Sequence, residues 1–285
     1  MPVRHPVIDP HTHSSVSDGT QSPGELMAAA ARAGVDVLGL TDHDTTAGWA
    51  QAEEAVATTG VALLRGTEIS CSSAGISVHL LSYLHDPGHA PLAAELDRSR
   101  ASRDDRARLM VARLAEDYEL TWGDVEAQME PGTTVGRPHI ADALVARGYV
   151  RDRSAAFTSI LHARSPYYVR YYAPDVQAAV RCVRAAGGVP VMAHPFASVR
   201  GRIVAAEVIE SMAAAGLAGV EVDHRDQDAA SRRRLTEIAR SLGLFVTGSS
   251  DYHGAGKPNL LAEHSTSPDV LAAIEEEGRM PVVRP

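Results

Sequence analysis

The stretch "MAAAARAGVDVLGLTDHD", residues 27–44, decides the fold class. An alanine-rich segment with helical character ends at Gly34, a short apolar run follows, and the run breaks into polar residues at Thr41–Asp44. Alanine favours helix, and a glycine just past a helix suits the left-handed C′ position. The run "VDVLGL" is nearly continuous in apolar residues, as a parallel strand buried on both faces should be. Upstream, Ser22, Pro23 and Glu25 fit an N-cap, the first helical position and a capping box.

The same unit recurs along the chain. It appears in "EEAVATTGVALLRGTEIS" (53–70), "AVRCVRAAGGVPVMAHP" (179–195), "MAAAGLAGVEVDHRD" (212–226) and "RLTEIARSLGLFVTGSSDYHG" (234–254). Helix, glycine, strand and polar residue in that order imply a parallel α/β fold. From about 95 to 170 the rhythm breaks. "LAAELDRSRASRDDRARLMVARLAEDY" (92–118) reads as a long charged helix, and "TWGDVEAQM", "RPHIADALVARG" and "DRSAAFTSIL" as shorter ones. None is followed by a buried strand. The expected organisation is therefore a barrel domain from 1–95 and 170–285, with a helical insertion, or cap domain, at 96–169. Pro174 is expected to open the next barrel helix.

Composition sets limits. The 285 residues carry a formal charge of −9, so no general basic field is present to hold duplex nucleic acid. A small anionic substrate remains compatible with that charge. Lys257 is the one lysine, and arginine supplies every other basic side chain. Cys71 and Cys182 sit in apolar contexts and read as small core residues, not as a disulfide framework or zinc knuckle. "MPVRHPVIDP" lacks the apolar segment of a secretory leader, and no window approaches the roughly 18 apolar residues of a membrane span. A cytoplasmic protein with no membrane partner is the expectation.

The polar residues fall at informative places. "VID" leads into His11, His13 and Asp18; "VLGLTD" into His43; "ALLRGT" into Glu68; and "GISV" into His79. "VPVMA" leads into His194, and "LFVTGSS" into Asp251 and His253. In a parallel barrel all strand C-termini open on one face, so these nine residues should converge there. Nine donors exceed the four of a tetrahedral site and suit two or three ions. Glu68 is the natural bridge, because a carboxylate has two oxygens and imidazole offers one lone pair at a time. Donors of His, Asp and Glu without thiolate suit Mn²⁺, Fe²⁺ or Zn²⁺.

Together "HTHSSVSDG" (11–19), "TDHD" (41–44), "GTEIS" (66–70), "VHLLSY" (78–83), "AHP" (193–195) and "SSDYHG" (249–254) resemble the PHP family, named for polymerase and histidinol phosphatase. The resemblance runs from about residue 7 to 255. It implies a distorted (β/α)7 TIM-like barrel with a trinuclear metal centre, most readily Mn²⁺. By that resemblance His11, His13, Glu68 and Asp251 would hold one ion. Glu68, His79 and His194 would hold a second, and Asp18, His43 and His253 a third. Asp42 and Asp44 would orient ligands or pack beside them.

The insertion resembles that of a stand-alone subgroup whose members are phosphoesterases of nucleotides or short oligonucleotides. "VGRPHIADALV" and "ARSPYYV" are similar to its phosphate-facing segments, which puts Arg137 and Arg164 on a substrate phosphate. His224, in "GVEVDHRDQD", would touch substrate or donate a proton. Lys257 and Asn259 follow the last ligands and are candidates for substrate contact. His5, His85, His89, His162 and His264 are expected at the surface, and His139 within its own helix.

The implied chemistry is attack on phosphorus by a metal-activated hydroxide. The expected substrate is a nucleoside mono- or bisphosphate or a short oligonucleotide. Alternatives are histidinol-phosphate phosphatase, a C–N amidohydrolase and a non-catalytic PHP module.

Overall fold

In the computed structural model, which describes residues 5–285, seven strands form one sheet in chain order. Residues 1–4, which begin the stretch read for a leader, lie outside the described residues. The strands are β1 (Ile8–Thr12), β2 (Val37–Leu40), β3 (Ala62–Ser73), β4 (Ile76–Tyr83), β5 (Val189–Met192), β6 (Gly219–Asp223) and β7 (Phe245–Gly248). The sheet curls until its ends meet. Thr12 bridges Tyr252 in parallel, and the His13 amide donates to the Tyr252 carbonyl at 2.9 Å. The result is a nearly closed barrel.

One expectation is corrected. β4 runs antiparallel to both β3 and β5, while the remaining neighbours are parallel. Ala74 and Gly75, both at positive φ, turn β3 directly into β4. A two-residue turn can join only antiparallel strands; a parallel return needs a crossover of a dozen residues or more. Glu68 therefore lies inside a twelve-residue strand, and His79 inside β4. Neither closes a strand on the barrel's upper rim.

Around the sheet lie α1 (Pro23–Ala33), α2 (Trp49–Glu54), α3 (Val56–Thr59), α8 (Val176–Ala185), α9 (Ala206–Ala214), α10 (Ala229–Leu242) and α11 (Pro268–Glu277). The start of α1 follows the sequence reading: the Ser22 hydroxyl accepts from the Glu25 amide, and Glu25 accepts from the Ser22 amide. Gly34 ends α1 at φ 78°. Gly39 is needed for another reason, since a Cβ there would lie 2.0 Å from the Pro10 carbonyl oxygen of β1. Pro174 does not open α8. It precedes the N-cap Asp175, whose carboxylate accepts from the Gln177 and Ala178 amides, and its own carbonyl accepts from Ser72 of β3 at 2.9 Å.

The strand faces divide the core. Outward residues such as Ile69, Leu80, Val220 and Val222 pack on α8–α10. Inward residues Leu64, Leu81, Tyr83, Val189 and Val191 fill the lower barrel, which α11 closes with Leu271 and Ile274. Each fully buried leucine contributes roughly 1.5–3 kcal/mol. Alternation puts Glu68 on the same face of β3 as Leu64, and His79 on the same face of β4 as Leu81. The barrel interior is thus apolar below and polar above.

Between β4 and β5 run α4 (Ala90–Leu114), α5 (Trp122–Glu126), α6 (Arg137–Ala146) and α7 (Arg153–Ser159). They share an apolar cluster of their own, including Met110, Leu114, Val125, Ile140, Leu144 and Leu161. Among the described residues no helix is long and apolar enough to cross a membrane. Cys71 is buried and Cys182 partly so; both are free thiols.

Candidate metal centre

β1 delivers the first two imidazoles. His11 and His13 are two residues apart, so they share one side of the extended chain. Their Nε2 atoms lie 3.1 Å from each other. Around them the donor atoms fall into three groups, each within 4.8 Å internally: His11, His13, Glu68 and Asp251; His43, Glu68 and His79; and His13, Asp18, His43 and His253. His13, Glu68 and His43 each belong to two groups, so the three form one continuous cluster. His194 joins through Nε2, 3.2 Å from Glu68 Oε1.

All nine residues singled out in the sequence are therefore brought together. The grouping differs in detail from the one the resemblance implies. His13 also reaches the Asp18 group, and His43, with His194, flanks the Glu68–His79 pair.

Electrostatics sort the groups. Burial alone would raise the Glu68 carboxyl, but His79, His43 and His11 hold it well below its usual range. Burial likewise opposes ionisation of Asp251, and Lys257, Arg200 and His253 outweigh it. Asp18 is held down against burial by His253 and His43. Burial drives the His43 imidazole well below its usual value and brings His194 to about 3 and His253 to about 4. His11 and His13 go the other way: neighbouring carboxylates overcome burial and lift His13 to about 9.

This donor set fits divalent cations. Ionised carboxylates lie among imidazoles with no thiolate nearby. His43 Nδ1 and His253 Nε2 are buried without a hydrogen bond, although carboxylate oxygens lie 3.3 and 3.2 Å away. Such lone pairs, buried and facing anions, suit ions that both can share.

Several residues hold the donors in place. Glu221 accepts from His11 Nδ1 at 3.0 Å, from the His194 amide at 3.0 Å and from the Ser249 hydroxyl. Val220 and Val222 point outward into the core, so Glu221 must point in. Its carboxyl is lowered to about 2, with His11 outweighing burial. A carboxylate inside the apolar run "GVEVD" was the available sequence signal, and the sequence reading missed it. Asp42 accepts from Ser14 and Ser17, and Asp44 from Ser70 and Arg103. Asp9, which burial raises to about 6, accepts from the Ser250 and Ala262 amides. Asp44, His194 and Asp251 adopt positive φ of 54°, 29° and 51°. Such backbone costs about 1–3 kcal/mol per residue and persists where surroundings enforce it.

The substrate candidates fare unevenly. His224 is fully buried, with its ring 5.2 Å from that of His194. Its Nδ1 accepts from the Asp226 amide at 3.0 Å, and its Nε2 faces Arg200 Nη2 at 3.3 Å and Asp251 Oδ2 at 3.5 Å. Lys257 Nζ reaches the same Asp251 oxygen at 3.0 Å, as does Arg200 at 2.6 Å; the sequence reading passed over Arg200. Asn259 donates to the Ser250 carbonyl and is buried by that bond.

Arg137 stands at the start of α6 and donates to the Leu161 carbonyl at 3.1 Å. Beside it is Arg106 of α4, also missed, which donates through Nε to the Val169 carbonyl at 3.0 Å. Arg103, Arg106, Gly136 and Arg137 line one small pocket. Arg164 is exposed, and among the described residues its side chain makes no hydrogen bond or ion pair.

Of the five histidines expected at the surface, His5 is exposed, and His89, His162 and His264 are half-buried. His85 corrects the expectation. It is buried beside Trp49, with Nδ1 2.8 Å from the Ser82 hydroxyl. His139 stays with α6, its Nδ1 accepting from the Gly136 amide.

Residues 9–167 match the PHP domain family. The chain is 33% identical to the 3′,5′-nucleoside bisphosphate phosphatase of Chromobacterium violaceum, over 98% of each chain. It is 32% identical to a 5′-3′ exoribonuclease of Haemophilus influenzae, over 86% of this chain and 89% of that one. A solved structure from Bifidobacterium adolescentis, described as a metal-dependent phosphoesterase, superposes with a TM-score of 0.93 at 42% identity. That superposition covers 96% of this chain and 98% of the other.

Proposed function

Because this chain belongs to the PHP domain family and is a metal-dependent hydrolase of phosphate esters, we propose that its substrates are nucleotides, namely nucleoside mono- and bisphosphates or short oligonucleotides. The observation that carries this reading is the Arg106–Arg137 pair. Arg106 is 6% exposed, and among the described residues neither guanidinium has a carboxylate partner. Burial and the neighbouring Arg137 lower Arg106 to about 10. Two adjacent cations, Arg106 buried and Arg137 half-buried, are costly without a counter-charge unless an anion completes them. A phosphate does so with planar, bidentate geometry.

The ions would sit on the donors already described. His11, His13, Glu68 and Asp251 would hold one, Glu68, His79 and His194 a second, and Asp18, His43 and His253 a third. Mn²⁺ suits this set, with Fe²⁺ or Zn²⁺ as alternatives. Bound there, divalent ions neutralise phosphoryl oxygens and acidify water to supply the nucleophile.

The chain's own residues do the rest. Glu68 spans two donor groups and so keeps their spacing constant. Arg137 and Arg106 grip a phosphate that is not being cleaved and so orient the one that is. His224 presents Nε2 toward Arg200 and Asp251, where it would touch a phosphoryl oxygen or the leaving group. Arg200 and Lys257, both on Asp251 Oδ2, put positive charge where the transition state gathers negative charge. The helical segment 96–169 acts as the cap that carries the nucleotide-reading residues.

The test is phosphate release from matched substrates with Mn²⁺: a nucleoside 3′,5′-bisphosphate, a 5′-phosphorylated dinucleotide, AMP and histidinol phosphate. A preference of about tenfold or more in kcat/KM for the first two supports the reading. Preference for histidinol phosphate contradicts it.

A further inference from the structure

The three donor groups are not supported alike. The group of His11, Glu68 and Asp251 is held from within the barrel, by Glu221, Ser249 and neighbouring strands. The group of Asp18, His43 and His253 is gripped from outside it, by the segment between β4 and β5. Arg100 and Arg103, one turn apart on α4, both bind Asp44. Arg100 donates to its carbonyl at 3.0 Å, and Arg103 donates to its carboxylate at 2.7 Å and to Ser70. They thereby hold the left-handed backbone next to His43.

Arg153 of α7, itself clasped by both oxygens of Asp142, donates to the Asp18 carbonyl at 2.9 Å. It also lies over the turn that follows His253, where a Cβ on Gly256 would meet its guanidinium at 2.2 Å. Thr133 donates to the Ser15 carbonyl and the Thr134 amide to that of Val16, each at 2.9 Å. Two of the three ligand-bearing loops of this group are therefore hydrogen-bonded to the helical segment, and Arg153 packs over the third.

We infer that the helical segment is a structural part of the Asp18–His43–His253 subsite, so that occupancy of this subsite and docking of the segment depend on each other. Arg103 and Arg153 are positioning residues here; they act through Asp44 and Asp18. Linkage makes the effect reciprocal: whatever loosens the segment weakens the ion, and the ion fastens the segment. The inference rests on the reading that the donor groups hold ions. It adds that one ion, unlike the others, reports on a contact between two parts of the chain.

The experiment titrates Mn²⁺ into chelator-stripped full-length protein and counts bound ions by equilibrium dialysis and elemental analysis. The parent should bind three per chain. Arg103→Met and Arg153→Met should each weaken one ion by roughly 10- to 100-fold and leave the other two unchanged. Should either fail to fold, as judged by thermal melting, Arg103→Lys and Arg153→Lys keep charge and stem, lose the forked geometry, and should show the same selective loss. In the parent, hydrogen exchange at 14–18 and 133–139 should slow only on addition of the last equivalent. Three ions bound with parental affinities by every variant, or protection complete at the first equivalent, would overturn the inference while leaving the metal-centre reading intact. A parent that binds fewer than three ions would overturn both.

Discussion

Glu68 Oε1 lies 2.7 Å from His79 Nδ1, across a hairpin in which the two residues are diagonal neighbours on one face. The other oxygen, Oε2, lies 3.0 Å from His13 on β1's continuation and 3.3 Å from His43 after β2. With His194 Nε2 3.2 Å from Oε1, a single carboxylate touches donors from four places in the chain. An antiparallel strand is what brings His79 to it.

Glu68→Gln keeps the volume but leaves one oxygen and no charge. Phosphate release should fall by about 10²–10³-fold or more, with the melting profile little changed. Steady-state kinetics at saturating Mn²⁺ check this, and parental turnover would exclude the shared-carboxylate role.

Glu221→Gln addresses orientation. Glu221 fixes His11 through Nδ1 and His194 through its amide. The half-saturating Mn²⁺ concentration for activity should rise roughly 10- to 100-fold, and excess Mn²⁺ should recover much of the rate.

Arg106→Ala and Arg137→Ala should separate binding from chemistry. Each should raise KM for a nucleoside bisphosphate by about tenfold or more. The effect on a substrate with a single phosphate should be small. Equal losses on both substrates would place these arginines at the scissile group instead.

His85 sets a pH dependence of stability. Burial holds its imidazole at about 4, against 6.5 for the free side chain. Between those values the unfolded chain binds a proton that the folded chain refuses, so stability falls as pH drops through that window. Replacing His85 with glutamine should flatten the fall between pH 7 and about pH 5.5 by about 1 kcal/mol. Urea unfolding of both proteins at the two pH values measures it.

Much of this was legible in the sequence, for identifiable reasons. Helix ends were readable at Ser22 and Gly34 because capping is local chemistry. The donors other than Glu68 and His79 were readable because strands with buried faces end in residues that cannot be core; those two stood out as polar residues after apolar runs, although they lie inside β3 and β4. The direction of β4 was not read, although the Ala74–Gly75 turn was its signal. Glu221 was hidden within an apolar run, and only alternation with Val220 and Val222 turns it inward. Arg106 and Arg200 were indistinguishable from the many other arginines until the chain placed them beside Arg137 and Asp251. His85 has no sequence signature at all; its burial follows from packing on Trp49.

Metal dependence of phosphate release is the most direct measurement of the central claim. The protein is stripped with chelator, assayed on a nucleoside 3′,5′-bisphosphate, and reassayed as Mn²⁺ is restored. The account predicts that release disappears on stripping and returns with Mn²⁺ in the parent but not in Glu68→Gln. Undiminished release from metal-free protein, or full recovery in Glu68→Gln, would contradict it.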